Sequence, residues 1–360
     1  MTQPTLRIGL IGTGKNMRAR HIPGLKAIAG VEFGAVCNRR PASTLAAARE
    51  FAIPRSYERW QDLVADPEID AIVIGTWPYL HSPITLAALE AGKHVLTEAR
   101  MALNAAEAHR MLAAARRYPK LVTQIVPSPY GLKGHEVMRE LIQSGFLGEL
   151  REVRVYSLSD ALADTAAPLS WRQDAALSGY NMLSLGILHE TLLRWVPPPV
   201  QVMAQVHAFV PKRIDPESGV YRTVGTPDSV QVLTVLDNGA RAVYEVSGVI
   251  PFNQGMGIEL YGTEGILHYD LAADRIFGAR RSQRSQTGRA EALSEIPIPE
   301  EKAKSWHVEA DFVDAIRTGS PIQFTDFPSG VAYMEFTEAV ARSAQAGEVI
   351  ELPLEEFVTE

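Results

Sequence analysis

Two glycines close to the start of the chain have the spacing of a turn that binds phosphate. Gly12 and Gly14 follow an apolar run and precede a helix-like stretch. Gly12 permits a tight turn, and Gly14 lets the backbone approach a pyrophosphate held at the helix N-terminus. Met17 replaces the third glycine of such a fingerprint, which predicts slightly looser packing of helix on strand. The sequence therefore predicts a dinucleotide site contacted by Gly12, Gly14, Lys15, Asn16 and Met17, with a purely structural glycine turn as the alternative.

The end of the next apolar run bears on which dinucleotide binds. An acidic residue at this place would hold the ribose hydroxyls of NAD, but the chain has Asn38, Arg39 and Arg40. Two guanidinium groups suit a ribose phosphate, because arginine binds it through bidentate, charge-assisted hydrogen bonds. The sequence therefore favours NADP(H) over NAD(H). The alternative is that Arg39 and Arg40 are solvated and that Asn38 alone serves NAD.

The elements that must position these residues alternate between strand and helix. The predicted strands are residues 7–11, 31–37, 71–75, 94–96 and 121–125, and the clearest predicted helices are 41–51, 82–91 and 105–117. Such alternation implies parallel crossovers and a sheet covered on both faces. We therefore expect an α/β protein whose residues 1–125 form a Rossmann-type, doubly wound domain, followed by a second domain over residues 126–360.

The second half of the chain has a different pattern. Residues 230–236 and 240–246 are rich in β-formers, and Asp237-Asn238-Gly239 between them is a strong hairpin signal. Antiparallel pairing follows, with helices at 133–144 and 308–318 packed against the sheet. Residues 280–289 contain four arginines among Ser, Gln and Gly, which predicts a solvated loop.

Composition excludes several classes of protein. The 360 residues are 46% hydrophobic and 21% charged, which excludes a largely disordered chain and a membrane protein. A net charge of −7 opposes general attraction to nucleic acid or anionic lipid. With Cys37 as the one cysteine and no signal-peptide pattern, we expect a cytoplasmic protein without disulfides. The histidines lack ligand spacing, so no metal site is predicted.

Segments spread over nearly the whole chain carry a family resemblance. They are residues 8–14, 70–76 with His81, 88–98, 145–149, 171–172, 178–179, 192–195, 261–265 and 311–319. Together they resemble the Gfo/Idh/MocA family, named for glucose-fructose oxidoreductase, inositol dehydrogenase and rhizopine catabolism. The resemblance implies a C-terminal α+β domain with a large, mostly antiparallel open sheet, through which such proteins form homodimers or homotetramers.

The chain departs from this family at the catalytic positions. Relatives carry Glu-Lys-Pro where this chain reads Glu98-Ala99-Arg100, and they carry Asp-x-Gly-x-His where it has Ser184 and Leu188. Oxidising a sugar hydroxyl by hydride transfer needs a group that takes the hydroxyl proton. The candidate catalytic residues are Glu98, Arg100, His189 and Tyr130; Arg100 is too basic to exchange protons readily and would orient an anion.

Other positions are assigned by the resemblance. Thr76, Trp77 and His81, together with Glu98, correspond to the region near the nicotinamide ribose in relatives; Trp77 would stack on cofactor or sugar, or fill a domain interface. The expected substrate contacts are Trp171, Arg172, Tyr180 and Ser184.

Three functions remain open at this point. The leading hypothesis is an NAD(P)-dependent oxidoreductase that acts on a sugar, polyol or sugar acid. The second is a redox-neutral lyase or hydrolase that retains its cofactor and shows no net cofactor turnover. The third is a non-catalytic homologue that binds a nucleotide or sugar without chemistry.

Overall fold

Parallel strands form the core of the first of two units into which the chain divides. The structure, a computed structural model, describes residues 4–283 and 293–358. Residues up to Pro127 and His307–Met334 form the first unit, and Ser128–Trp306 with the residues from Glu335 onward form the second. The sequence prediction placed residues 307–334 in the second domain, whereas the structure packs them with the first unit. Residues 284–289 of the predicted arginine-rich loop lie outside the described residues.

The first unit contains a six-stranded sheet in the order β3-β2-β1-β4-β5-β6, in which every pair is parallel. Its strands are β1 Leu6–Ile11, β2 Val31–Cys37, β3 Arg55–Ser56, β4 Ala71–Ile74, β5 His94–Thr97 and β6 Thr123–Ile125. All four residues of β4 are buried, as expected for a strand covered on both faces. The strand order reverses between β1 and β4, and a ligand of such a sheet binds beside this switch point, at the carboxyl ends of the strands.

Helices cover this sheet on both faces. They are α1 Ile22–Lys26, α2 Pro41–Phe51, α3 Trp60–Val64, α4 His81–Glu90 and α5 Ala105–Arg117. A π-helical turn, Met17–His21, precedes α1. Local sequence explains the ends of α5: the Asn104 side chain accepts from the backbone N–H of Glu107 at 2.9 Å, and Arg116 and Arg117 occupy the last turn. The predicted doubly wound domain is confirmed.

The second unit is built on a nine-stranded sheet in the order β16-β15-β14-β13-β7-β12-β11-β8-β17. Only the β7–β12 pair is parallel among the described strands of this sheet. The strands are β7 Leu150–Leu158, β8 Pro199–His207, β11 Ser229–Leu236, β12 Arg241–Ser247, β13 Gly255–Gly262, β14 Gly265–Asp270, β15 Arg275–Arg280, β16 Ser294–Ile296 and β17 Ile350–Glu351; β9 Lys212–Ile214 and β10 Tyr221–Thr223 form a separate hairpin. The predicted mostly antiparallel sheet is confirmed.

The predicted β11–β12 hairpin is also confirmed. Gly239 has a φ of +83°, and its N–H donates to the carbonyl of Leu236 at 2.8 Å. Five more α-helices lie in the described part of the chain: α6 His135–Gln143, α7 Ala175–Ser178, α8 Leu185–Leu192, α9 Val308–Thr318 and α10 Phe327–Ala346. Helix α9 packs on α1 in the first unit. In the described ranges, no helix combines the length and apolar character needed to cross a bilayer.

Candidate functional site

A cavity of about 640 Å³ lies in the first unit, at the carboxyl ends of β1, β2 and β4. This volume is in the range of sites for small molecules and cofactors, which span about 300–1,000 Å³. It opens where the strand order reverses, which is the ligand position expected for such a sheet. Its lining residues include Gly12, Gly14, Arg18, Asn38, Arg39, Ser43, Arg59, Trp60, Thr76, Trp77 and Tyr79.

The glycine turn makes one wall of this cavity. Gly12 has a φ of +86°, and a Cβ on it would lie 2.8 Å from the backbone of Gly75, so both conformation and space require glycine. A Cβ on Gly14 would lie 3.7 Å from the Gly75 carbonyl, an ordinary contact. Gly14 is exposed, and its bare backbone leaves room for a ligand to approach. The turn therefore fits a dinucleotide phosphate.

The residues that follow the turn do not all face the cavity. Met17 is 1% exposed, and its Cε lies against Gly75. Met17 begins a π-helical turn, Met17–His21, at the position where the fingerprint has glycine. Lys15 is exposed, and Asn16 turns toward Glu98.

Asn38 joins the glycine turn to the end of β2. Its Oδ1 accepts from the backbone N–H of Thr13 at 2.7 Å, while its Nδ2 donates to Thr13 Oγ1 at 2.8 Å and to the Ser43 carbonyl at 3.0 Å. One amide hydrogen is therefore bonded to the glycine turn and the other to helix α2. Arg39 is exposed, with its guanidinium 5.6 Å from the centre of the Trp77 ring, and Arg40 is the exposed N-cap residue of α2.

His81 bridges the loops after β4 and β5. Its Nδ1 lies 2.7 Å from the Arg100 carbonyl, and its Nε2 lies 3.0 Å from the Thr76 carbonyl. Burial lowers the pKa of His81, partly opposed by these contacts and by the charge of Glu98. A neutral imidazole can donate to only one of the two carbonyls at a time. The buried His81 ring thus connects the two loops at this edge of the sheet.

Glu98, directly after β5, belongs to a buried polar cluster that we call the His21 cluster, formed by Asn16, His21, Glu98 and Glu309. Asn16 Nδ2 donates to Glu98 Oε1 at 2.5 Å, and His21 Nε2 lies 3.1 Å from the same oxygen. His21 Nδ1 lies 2.5 Å from Oε1 of Glu309, which is in the first turn of α9. The His21 side chain is fully buried, and that of Glu98 is 16% exposed.

The charges in the His21 cluster shift two pKa values in opposite directions. Burial by itself would lower the pKa of His21, but the hydrogen bonds to Glu309 and Glu98 outweigh it and raise that pKa from 6.5 to about 9. Burial would raise the pKa of Glu98, but the hydrogen bond and charge of His21, helped by Asn16, lower it overall. The cluster therefore holds an imidazolium between two carboxylates at neutral pH.

Most substrate contacts expected in the second unit lie on one folded segment. The guanidinium of Arg172 lies 4.4 Å from the centre of the Trp171 ring, and the Arg172 carbonyl accepts from Asn181 Nδ2 at 2.9 Å. Tyr180, next to Asn181, is 43% exposed. Ser184 is the N-cap residue of α8, and its side chain makes no capping hydrogen bond. The segment presents an aromatic ring, a guanidinium and a phenol, which are groups that bind sugars and acids.

The other candidates in the second unit are less open. Tyr130 is partly buried, and its carbonyl accepts from Arg194 Nη1 at 3.0 Å. His189 is 1% exposed; its Nδ1 lies 2.7 Å from the hydroxyl of Tyr244, and its ring stacks on Phe336 with centres 3.7 Å apart. Burial lowers the pKa of His189 to about 3. A neutral ring enclosed by aromatic residues is not within reach of solvent.

Sequence reasoning missed several residues of the first unit. Arg18 lines the cavity, donates to the Thr13 carbonyl at 2.9 Å and pairs with Glu50; Arg59 lines it from the start of α3. Arg18 lies one turn after Gly14, a spacing that could have drawn attention to it. The pairing of His21 with Glu309 spans 288 positions, and no local signal predicts it.

Across the described residues, no group of three His, Cys, Asp or Glu side chains is arranged to hold a metal ion.

Comparisons with known proteins agree with this geometry. The chain is 26% identical to levoglucosan dehydrogenase of Pseudarthrobacter phenanthrenivorans, over 88% of this chain and 89% of that one. It is 28% identical to 1,5-anhydro-D-fructose reductase of Ensifer adhaerens, over 72% of this chain and 74% of that one. A solved structure of levoglucosan dehydrogenase with NADH and L-sorbose has the same fold, with a TM-score of 0.85, 23% identity, and coverage of 98% of this chain and 100% of that chain.

Two family models match successive parts of the chain. The model described as "Oxidoreductase family, NAD-binding Rossmann fold" matches residues 6–125, which contain the glycine turn and the cavity. The model of the GFO/IDH/MocA C-terminal domain matches residues 135–268, which contain most of the large sheet. The chain therefore belongs to the Gfo/Idh/MocA family of NAD-binding oxidoreductases.

Proposed function

We propose that this protein transfers hydride between a nicotinamide dinucleotide and a hydroxyl-bearing carbon of a sugar, polyol or sugar acid. The observation that carries the proposal is the cavity at the switch point. One wall of this cavity is a glycine turn in which a Cβ on Gly12 would clash with the backbone of Gly75. Relatives named as levoglucosan dehydrogenase and anhydrofructose reductase support a sugar-like substrate.

NADP(H) is the proposed preference over NAD(H). Arg39 lines the cavity beside Trp77, and Arg40 begins the next helix. Because both amide hydrogens of Asn38 are bonded to Thr13 and Ser43, the guanidinium groups are better placed than the amide to select a ribose substituent. A 2′-phosphate would gain charge-assisted hydrogen bonds from them.

The residues of the chain have distinct proposed roles. The nicotinamide, when bound, accepts or donates the hydride. The glycine turn, with Lys15 and Asn16 close by, would hold the dinucleotide together with Arg39, Thr76 and Trp77, and Met17, Asn38 and His81 would shape these contacts. Glu98 and Arg100 would act at the reacting end, as would Tyr130. His189, the remaining candidate, is not given a role in proton transfer in this proposal, because its ring is 1% exposed and lies against Tyr244 and Phe336.

We assign substrate recognition to the second unit, residues 128–306 and 335–360. Trp171 would pack on the apolar face of a sugar ring, and Arg172 would bind its hydroxyls or carboxylate. Tyr180 and Ser184 are the further proposed contacts.

We also infer a homodimer or homotetramer formed through the large sheet. Met203, Leu233 and Val243 lie side by side on β8, β11 and β12 and are 37%, 58% and 44% exposed. A row of exposed apolar side chains across a sheet is the kind of surface that a second copy covers.

The cytoplasm is the proposed location, because the chain has a single, buried cysteine.

Cofactor titration tests the core of this proposal. NADPH and NADH fluorescence would be followed on adding the purified protein, its Arg39→Ala/Arg40→Ala variant, and an Arg49→Ala control, which removes an exposed arginine from the same helix α2. We expect the double variant to bind NADPH at least about tenfold more weakly, with a much smaller change for NADH. Equal effects on NADPH and NADH binding would overturn the proposed preference for NADP(H). Absence of binding of either cofactor would overturn the proposed oxidoreductase function.

Activity separates the remaining alternatives. A panel of sugars, polyols and sugar acids would be added with cofactor, following both nicotinamide absorbance and sugar products. Substrate-dependent change in absorbance supports hydride transfer. Sugar conversion without a net change in absorbance, with cofactor retained on the protein, would show the redox-neutral reaction instead.

A further inference from the structure

The His21 cluster buries a histidine and two carboxyl groups at the junction of three elements. It brings together the turn before α1, the end of β5 and the first turn of α9. Gly24 makes room for it, since a Cβ there would lie 2.8 Å from Oε2 of Glu309. Burying two carboxylates and a histidine carries a large desolvation cost before their attraction is counted.

We propose that His21 is a positioning residue, whose imidazolium between Glu98 and Glu309 fixes the Glu98 carboxylate at the reacting end of the cofactor site. Only one oxygen of Glu98 is held: Oε1 receives both Asn16 and His21. Across the residues that the structure describes, no hydrogen bond reaches Oε2, and the side chain is 16% exposed. The second oxygen is therefore left for a ligand.

Charge gives this arrangement a chemical purpose. Two carboxylates and one imidazolium leave the His21 cluster with one surplus negative charge. An oxidised nicotinamide ring carries a positive charge that the reduced ring lacks, so a fixed carboxylate beside it favours the oxidised form. This step rests on the proposed function, because it requires that a nicotinamide binds at this edge of the sheet.

The cluster makes a pH-dependent prediction. Glu98 and Glu309 face His21 and raise its pKa, while the charges of His21 and His81 lower the pKa of Glu98. Without the imidazolium, burial raises the pKa of Glu98, and the carboxylate becomes protonated at mildly acidic pH. In a variant that lacks the His21 ring, the preference for the oxidised cofactor should therefore disappear at low pH. In the unaltered protein it should persist.

The first test uses the cofactor-free protein. NMR of protein with isotope-labelled histidine would follow the His21 ring through a pH titration, with its signal assigned from the His21→Gln variant. We expect the ring to titrate near pH 9 and the Glu309→Gln variant, in which the amide preserves shape, to lower that value by at least about one unit. A His21 ring that titrates at or below 6.5 in the unaltered protein would overturn the proposal, whether or not a cofactor binds.

The second test measures dissociation constants for oxidised and reduced cofactor at pH 5.5 and pH 8, in the unaltered protein and in His21→Gln. His207→Gln is the matched control, because His207 is exposed and lies in the second unit. We expect the ratio of the two constants to shift by about fivefold between the two pH values in His21→Gln only. The same ratio at both pH values in His21→Gln would contradict the proposed role. If no protein binds either cofactor, the proposed function fails, and the NMR titration still judges the cluster.

Discussion

Two fully buried histidines, one in each unit, have opposite electrostatic environments. His21 lies between Glu98 and Glu309, and its pKa rises to about 9. His189 lies between the Tyr244 hydroxyl and the ring of Phe336, and burial lowers its pKa to about 3. Burial is common to both sites, so the carboxylates make the difference.

The environments of these two histidines indicate which kind of buried group to regard as functional. His189 has the type and approximate position of a catalytic histidine, but its environment is that of a neutral core residue. His21 stands at no expected catalytic position, but it is charged, and it contacts the carboxylate at the carboxyl end of a strand. Perturbed ionisation with a specific partner at a ligand-binding edge is the stronger indicator.

Replacing each ring by phenylalanine should give the largest contrast between the two sites. His21→Phe leaves Glu98 and Glu309 buried without their cation, and we expect the free energy of unfolding to fall by about 3–5 kcal/mol. His189→Phe leaves one Tyr244 hydroxyl unsatisfied, with an expected loss of about 1–3 kcal/mol. Urea unfolding monitored by circular dichroism measures both. Equal losses would show that the His21 cluster contributes no more than an ordinary core histidine.

Stability should depend on pH in opposite directions at the two sites. The folded pKa of His21 lies above its unfolded value of 6.5, so its contribution is complete below pH 6.5 and is lost as pH rises toward 9. A difference of this size corresponds to about 3 kcal/mol. The folded pKa of His189 lies below 6.5, so stability falls as pH drops from 6.5 toward 3, and His135, whose pKa burial lowers to about 4, acts in the same direction.

The measurement is the urea midpoint between pH 4 and pH 9.5 for the unaltered protein, His21→Gln and His189→Gln. The alkaline decline should be absent from His21→Gln and present in His189→Gln. An alkaline decline of the same size in all three proteins would assign it to other groups.

The smallest effect is expected when both partners of the second site are removed. In His189→Phe/Tyr244→Phe, two apolar rings replace a hydrogen-bonded pair inside an aromatic cluster with Phe336. Removing both partners leaves neither one unsatisfied, so the double variant should lie within about 1 kcal/mol of the unaltered protein. Thermal unfolding of the single and double variants gives the coupling. A double variant less stable than His189→Phe would show that two phenylalanine rings pack less well here than the hydrogen-bonded pair does.

Much of the fold could be predicted from local patterns. The helices 41–51, 105–117 and 308–318 have the bounds that were predicted, because Pro41, Asn104 and Gly319 mark their ends. The two-residue strand β3 was not predicted, because it is too short for a period to be visible. The same locality explains the glycine turn, because the positive φ at Gly12 satisfies a motif readable within a few residues.

The candidate site was less predictable. Asn38 lines the cavity, as expected of a cofactor contact, but its hydrogen bonds to Thr13 and Ser43 were not predicted. An amide has several possible partners, and the one it takes depends on the local backbone geometry rather than on its position after a strand.

The sequence by itself determined the α/β class, the glycine turn, the β11–β12 hairpin and the family, because these depend on residue periodicity and on conformations of a few neighbouring residues. Tertiary structure alone decided that Glu309 meets His21 across 288 positions and that His189 faces Tyr244 and Phe336. Such pairs are set by how helices pack on sheets, and the pKa values follow from those contacts. The charge state of this edge of the sheet is thus a property of packing that no local pattern encodes.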